Sequence, residues 1–68
     1  MEYLVVIEKS KTGYAAYVPD LPGCVATAAS KAMVLRRIKD AIEFHLEGLR
    51  ETGKRIPKGK AEAQLVEV

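Results

Sequence analysis

The run Tyr17-Val18-Pro19-Asp20-Leu21-Pro22-Gly23-Cys24 narrows the fold more than any other stretch, because it packs two of the chain's three prolines into a few residues. Each proline fixes its own φ at about −65° and holds the residue before it, Val18 or Leu21, in extended geometry. Gly23 adds a position that tolerates positive φ. The run therefore reads as a rigid bend between two strands. Neither proline donates to a sheet ladder, so Asp20 and Leu21 are expected to project from a loop whose shape is set before any partner arrives. Such a bend is either a recognition loop or a plain structural corner, and the run alone leaves both readings open.

The flanks supply strands. Tyr3-Leu4-Val5-Val6-Ile7 is rich in β-branched and aromatic residues, and the polar stretch Glu8 to Gly13 reads as the turn after it. Tyr14 to Val18 follows closely enough to pair with the first run as an antiparallel hairpin. Cys24 to Ala28 makes a weaker third strand, since alanine has low strand propensity. Ser30 then opens a helix as N-cap. Val34, Leu35, Ile38, Ala41, Ile42, His45, Leu46 and Leu49 recur at three- and four-residue spacing as one apolar stripe. Gly53 and Pro57 end the helix, which is predicted over residues 31 to 52. A basic loop, Lys54 to Lys60, leads to a last predicted strand over Ala61 to Val68. The order is ββ(β)αβ. A small, mostly antiparallel sheet with one long amphipathic helix on one face is an α+β fold.

At 68 residues the chain is one domain. A core of this size rarely supplies more than about 3–5 kcal/mol of net stability, so a bridge, a metal or self-association is the usual supplement. Cys24 is the single cysteine and His45 the single histidine, which excludes an internal disulfide and a Cys/His zinc site within one chain. Self-association remains, and a dimer or tetramer is expected. The net charge of +2 is too weak to argue for nucleic acid by itself. No apolar run reaches the roughly 20 residues of a membrane span, so no membrane partner is expected. The chain starts directly with a strand pattern in place of a secretory signal, and a cytoplasmic location is expected.

The helix charges are arranged against the macrodipole. Lys31, Arg36, Arg37 and Lys39 occupy its first half, and Glu43, Glu47 and Glu51 its second. Each such charge costs a few tenths of a kcal/mol when exposed, roughly, so helix stability does not account for the pattern. It is either drift on a solvated face or a sign that two helices dock antiparallel, basic half against acidic half. On the second reading Arg36, Arg37, Glu43 and Glu47 are the candidate oligomer contacts.

Catalytic chemistry is hard to assemble from these residues. His45 lies on or beside the apolar stripe without a second ligand or a carboxylate partner, which reads as a partly buried structural histidine. Cys24 opens an apolar strand and reads as a small buried hydrophobe. Two-metal hydrolysis needs several converging carboxylates, and Glu2, Glu8 and Asp20 are the only acids in the N-terminal half. No catalytic residue, metal ligand or cofactor is expected. Lys54, Arg55, Lys58 and Lys60 lack interleaved aromatics and read as a solubilising loop before a nucleic-acid contact. Tyr3 and Tyr17 are placed near one another on one face of the hairpin, as sheet cover or as a sticky patch.

Several of these features occur together in a known pattern. Gly13-Tyr14, the core Val18-Pro19-Asp20-Leu21-Pro22-Gly23-Cys24, an N-capped amphipathic helix and the tail Gly53-Lys54-Arg55-Ile56-Pro57 resemble, in this order, the HicB-like antitoxin family. The resemblance spans nearly the whole chain, which would make residues 1–68 a single HicB-like domain. It implies a truncated ribonuclease-H-like α+β unit that forms oligomers. It also implies a non-catalytic protein that binds a small basic HicA-like toxin, an RNA-cleaving protein, and blocks it. Tyr17, Pro19, Asp20, Leu21 and Pro22 are the candidate partner contacts, with Asp20 supplying charge and Leu21 an exposed apolar anchor. Many members continue into a DNA-binding domain. The present sequence runs to Val68, so operator DNA binding is not expected of it. Ser30-Lys31-Ala32-Met33 and Arg36-Arg37 also replace the acidic helix start usual in the family. The competing readings are an orphan homo-oligomeric module and a remnant nuclease or RNA-binding domain.

Overall fold

A computed structural model describes all 68 residues as three antiparallel strands followed by one helix: β1 (Val6–Ser10), β2 (Gly13–Tyr17), β3 (Val25–Ala28) and α1 (Lys31–Glu51). The sheet order is β1-β2-β3. Val6 pairs with Tyr17 and Ser10 with Gly13 across the first hairpin, so only Lys11 and Thr12 turn the chain. The ladder therefore takes in Glu8, Lys9 and Ser10, which the sequence assigns to a turn. Their polar side chains are exposed: Glu8 and Ser10 stand on the face the helix does not cover, and Lys9, on the inner face, belongs to an edge strand. Gly13 is dictated by close approach. It sits at φ 151°, and a Cβ there would collide with the carbonyl oxygen of Ala28 on the neighbouring strand.

Alternation divides the sheet into two faces. Ile7, Tyr14, Ala16, Ala26 and Ala28 turn toward the helix and pack on the core, while Val6, Glu8, Tyr17, Val25 and Thr27 belong to the opposite face. The helix closes the inner face. Its N-cap is Ser30, whose hydroxyl accepts from the Met33 amide at 3.2 Å, as the sequence predicts. Its C-terminus is closed by Gly53 N–H donating to the Arg50 carbonyl at 3.2 Å and Lys54 N–H to that of Leu49 at 2.9 Å, which is the Schellman pairing. Val34, Ile38 and Leu46 are buried, each stabilising the fold by about 1.5–3 kcal/mol.

The predicted last strand is not formed. Residues 61 to 68 have no ladder partner, and Leu65, Val66 and Val68 stand exposed. The observed order is βββα. The C-terminal segment instead crosses the strand ends near residue 2. Pro57 accepts a hydrogen bond from the Tyr3 hydroxyl at 2.5 Å, and a Cβ on Gly59 would strike the carbonyl oxygen of Glu2.

Candidate protein-binding surface

Two turns make the proline bend, and three hydrogen bonds close it. Leu21 N–H donates to Val18 at 3.0 Å, and Cys24 N–H donates to Leu21 at 3.0 Å. Val18 N–H donates to Cys24 at 3.2 Å, extending the β2–β3 pairing. Each proline occupies the second position of its turn. In the second turn Gly23 follows at φ 85°, the combination a type II turn requires. The backbone is thereby satisfied internally and the loop is rigid without a partner.

The side chains of the bend sort by direction. Val18, Leu21 and Cys24 all point into the core and supply three of its seven buried residues. Leu21 is fully buried, at 0% exposure. This corrects the expectation that Leu21 is an exposed apolar anchor: the Val18 to Leu21 turn folds it back under the sheet, where its burial outweighs any gain from display. Asp20 is half-buried and already engaged. Its Oδ2 accepts from the backbone amides of Lys60 and Ala61, both at 3.0 Å, and so clamps the C-terminal segment to the bend. Arg55, Ile56, Pro57, Lys58 and Lys60 gather round that carboxylate to line an open polar cleft. Pro19 and Pro22 are exposed. Burial pushes the Cys24 thiol above its ordinary range, as desolvation disfavours the thiolate.

Tyr17 is 41% exposed and lies on the uncovered face. It is flanked in register by Val6 on β1 and by Val25 on β3, the latter 64% exposed. An apolar row thus crosses all three strands on the side the helix does not cover. Val6 and Val25 were missed by reading the bend as a linear motif. Period-two alternation applied outward from Tyr17 finds them once the pairing register is known. Tyr3 is not beside Tyr17; it packs on the core from the opposite face.

The helix residues Arg36, Arg37, Glu43 and Glu47 are all exposed. Arg37 Nη1 donates to the Thr27 carbonyl at 2.8 Å, tying the first half of the helix to the edge of β3. No acid stands in the first turn, and Arg50 gives the last turn one favourable cation. His45 is half-buried on the inner side. No three His, Cys, Asp or Glu side chains converge as metal ligands would. No helix is long and apolar enough to cross a membrane.

The sequence pattern of residues 3–67 matches the HicB_like antitoxin of bacterial toxin-antitoxin systems. The chain belongs to the HicB-like antitoxin family. It is 40% identical over 63 residues to a UPF0150 protein of Thermoplasma acidophilum, covering 91% of each chain. It is 36% identical over 66 residues to an uncharacterized 14.9 kDa protein from the rep-hol intergenic region of Haemophilus phage HP1. That match covers 97% of the present chain and 50% of the phage protein, so the chain spans about half the length of this relative. Among solved structures, it superposes on a chain of the HicA3 and HicB3 toxin-antitoxin complex with a TM-score of 0.73 and 28% identity. The match covers 87% of the present chain and 70% of the other. An α+β unit of antiparallel strands and one long helix is thus common to this HicB-like chain and its structural relative.

Proposed function

We propose that this HicB-like protein is the antitoxin of a toxin–antitoxin pair, binding a small, basic, RNA-cleaving HicA-type toxin and silencing it by covering its surface, with no reaction of its own. The observation that carries the reading is the apolar row Val6, Tyr17 and Val25 on the face of the sheet without a helix. Exposed apolar side chains in a row mark an interaction site more often than a solvated surface does. Membership of an antitoxin family supplies the kind of partner. Pro19 and Pro22 border the row on a loop that is already rigid, so docking there costs little ordering entropy. Glu8 follows Val6 on the same face and offers a carboxylate to a basic partner.

Asp20 and Leu21 act from beneath. Leu21 plugs the core and Asp20 pins the segment that follows the helix, so both shape the surface that Tyr17, Pro19 and Pro22 present. A toxin that cleaves messenger RNA works where messenger RNA is, and the antitoxin's place of action is then the cytoplasm.

The test is titration calorimetry against a purified HicA-type toxin from the same genome, with Tyr17→Ser/Val25→Ser as the variant. Both side chains are outside the core, so the circular dichroism spectrum should be unchanged while affinity falls by about 2 kcal/mol, roughly 30-fold. Wild-type affinity in a folded double variant would move the contact to another surface. A wild-type protein that binds no such toxin would end the reading.

A further inference from the structure

The loop Lys54 to Lys60 reads in the sequence as a solubilising segment, and the fold gives it a shape that solubility does not require. Four of its seven residues are cations and none is an acid. The segment is tacked down along its length. Lys54 N–H donates to the Leu49 carbonyl at the end of α1, and the Tyr3 hydroxyl donates to the Pro57 carbonyl. Gly59 lies against the Glu2 carbonyl, and Asp20 accepts from the Lys60 and Ala61 amides. Held in this way, Arg55, Lys58 and Lys60 line one open cleft of about 610 Å³ together with Asp20, Ile56 and Pro57. The carboxylate oxygen of Asp20 serves two backbone amides, and the cationic side chains around it stay exposed. Three lining cations against one carboxylate leave the cleft at +2, as much as the formal net charge of the whole chain.

We infer that this cleft binds the phosphodiester backbone of a single nucleic-acid strand. Like charges held a few residues apart on a fixed loop repel one another, and a polyanion relieves that repulsion while releasing its own counterions. The lining favours phosphate over an acidic protein surface. Protein partners anchor on a desolvated apolar or aromatic centre, and the only apolar side chains here are Ile56 and Pro57, both already half-buried. No aromatic side chain lines the cleft, so bases have nothing to stack on and the strand is held by its phosphates without sequence preference. Size points the same way. A cleft within the range of about 300–1,000 Å³ encloses a nucleotide or two of one strand, whereas a duplex rests only on its rim. Asp20 acts in two senses, fixing the backbone of Lys60 beside the strand and opposing the phosphate with its own charge. The cleft lies apart from the row Val6, Tyr17 and Val25, so this binding does not depend on a toxin.

Fluorescence anisotropy of a labelled single-stranded RNA of about 12 nucleotides, titrated with the chain alone, tests this. The dissociation constant should be about 10–100 μM at about 50 mM salt, and log affinity against log salt should fall with a slope near about −2, roughly 0.7 for each of three phosphates. Single-stranded DNA of the same length should bind alike, since lysine and arginine read the phosphates and not the sugar. The decisive comparison is between two variants of equal net charge. Lys58→Gln/Lys60→Gln removes two cations from the cleft, and Lys9→Gln/Lys11→Gln removes two at the turn end of the hairpin, while Asp20 lies beyond its other end. The first should weaken binding at least about 10-fold and flatten the slope to about −0.7, and the second should stay within about 2-fold of wild type. Asp20→Asn keeps an acceptor for the two amides and removes the opposing charge, so it should bind more tightly. Equal losses in the two double variants would overturn the inference, as would no binding by wild type or a weaker complex with Asp20→Asn. Displacement of the RNA by inorganic phosphate at matched ionic strength would assign the cleft to the free anion and overturn the strand as its ligand.

Discussion

Replacing Leu21 by alanine should unfold much of the protein, and the reason lies in where the bend puts that side chain. Leu21 is among the three largest fully buried side chains, together with Ile38 and Val34. Truncating a leucine so enclosed removes its transfer energy and leaves a cavity, at about 2–5 kcal/mol. Relaxation that fills the cavity is limited here, because both turns of the bend are closed by hydrogen bonds and stiffened by Pro19 and Pro22. The upper half of the range, about 3–5 kcal/mol, is therefore expected. A single core of this size supplies about the same total. Urea titration followed by helical circular dichroism should then show a well-formed transition for wild type and only a residual folded baseline for Leu21→Ala. Pro22→Ala, at an exposed position in the same loop, is the control and should cost no more than about 1 kcal/mol. A Leu21→Ala midpoint within the error of wild type would refute the burial argument and return Leu21 to the surface as a contact residue.

Other outcomes follow from single contacts. Asp20→Ala should leave the core folded yet abolish hydrogen-exchange protection at the Lys60 and Ala61 amides, which its carboxylate now accepts; unchanged protection would show that other contacts hold the segment. Gly13→Ala should destabilise by about 1–3 kcal/mol in urea titration, since both the backbone angle and the Ala28 carbonyl oppose a Cβ. Stability should fall as pH rises past about 9 in a titration of the melting midpoint: with the Cys24 pKa raised in the fold above its unfolded value of 9.0, the unfolded thiol ionises first. Cys24→Ala should flatten that limb, and a limb that persists would assign it to another group.

Much of this fold was legible because local and tertiary preferences agree. The helix ran as its stripe and caps foretold, to within a residue at its end, and the hairpin formed at Gly13. The failures have a common physical origin. A motif read along the chain gives the order of side chains but not their direction, and in the bend direction decides everything: Pro19 and Pro22 face out while Leu21 between them faces in. The prolines set a turn, and the turn reverses which neighbour reaches the core. Asp20 was legible as a carboxylate in a loop, yet its partners are amides forty and forty-one residues away, a distance that no local pattern spans.

The last segment shows the same principle from the other side. Ala63, Leu65, Val66 and Val68 have the composition of a strand, but a strand needs an edge to pair with as well as a sequence that favours extension. Here Asp20 accepts from the Lys60 and Ala61 amides and Gly59 lies against the Glu2 carbonyl, yet the residues that follow gain no ladder partner, and Leu65, Val66 and Val68 are left open to solvent. Composition thus sets what this segment is able to form, and whether it forms it depends on a pairing edge that composition does not supply.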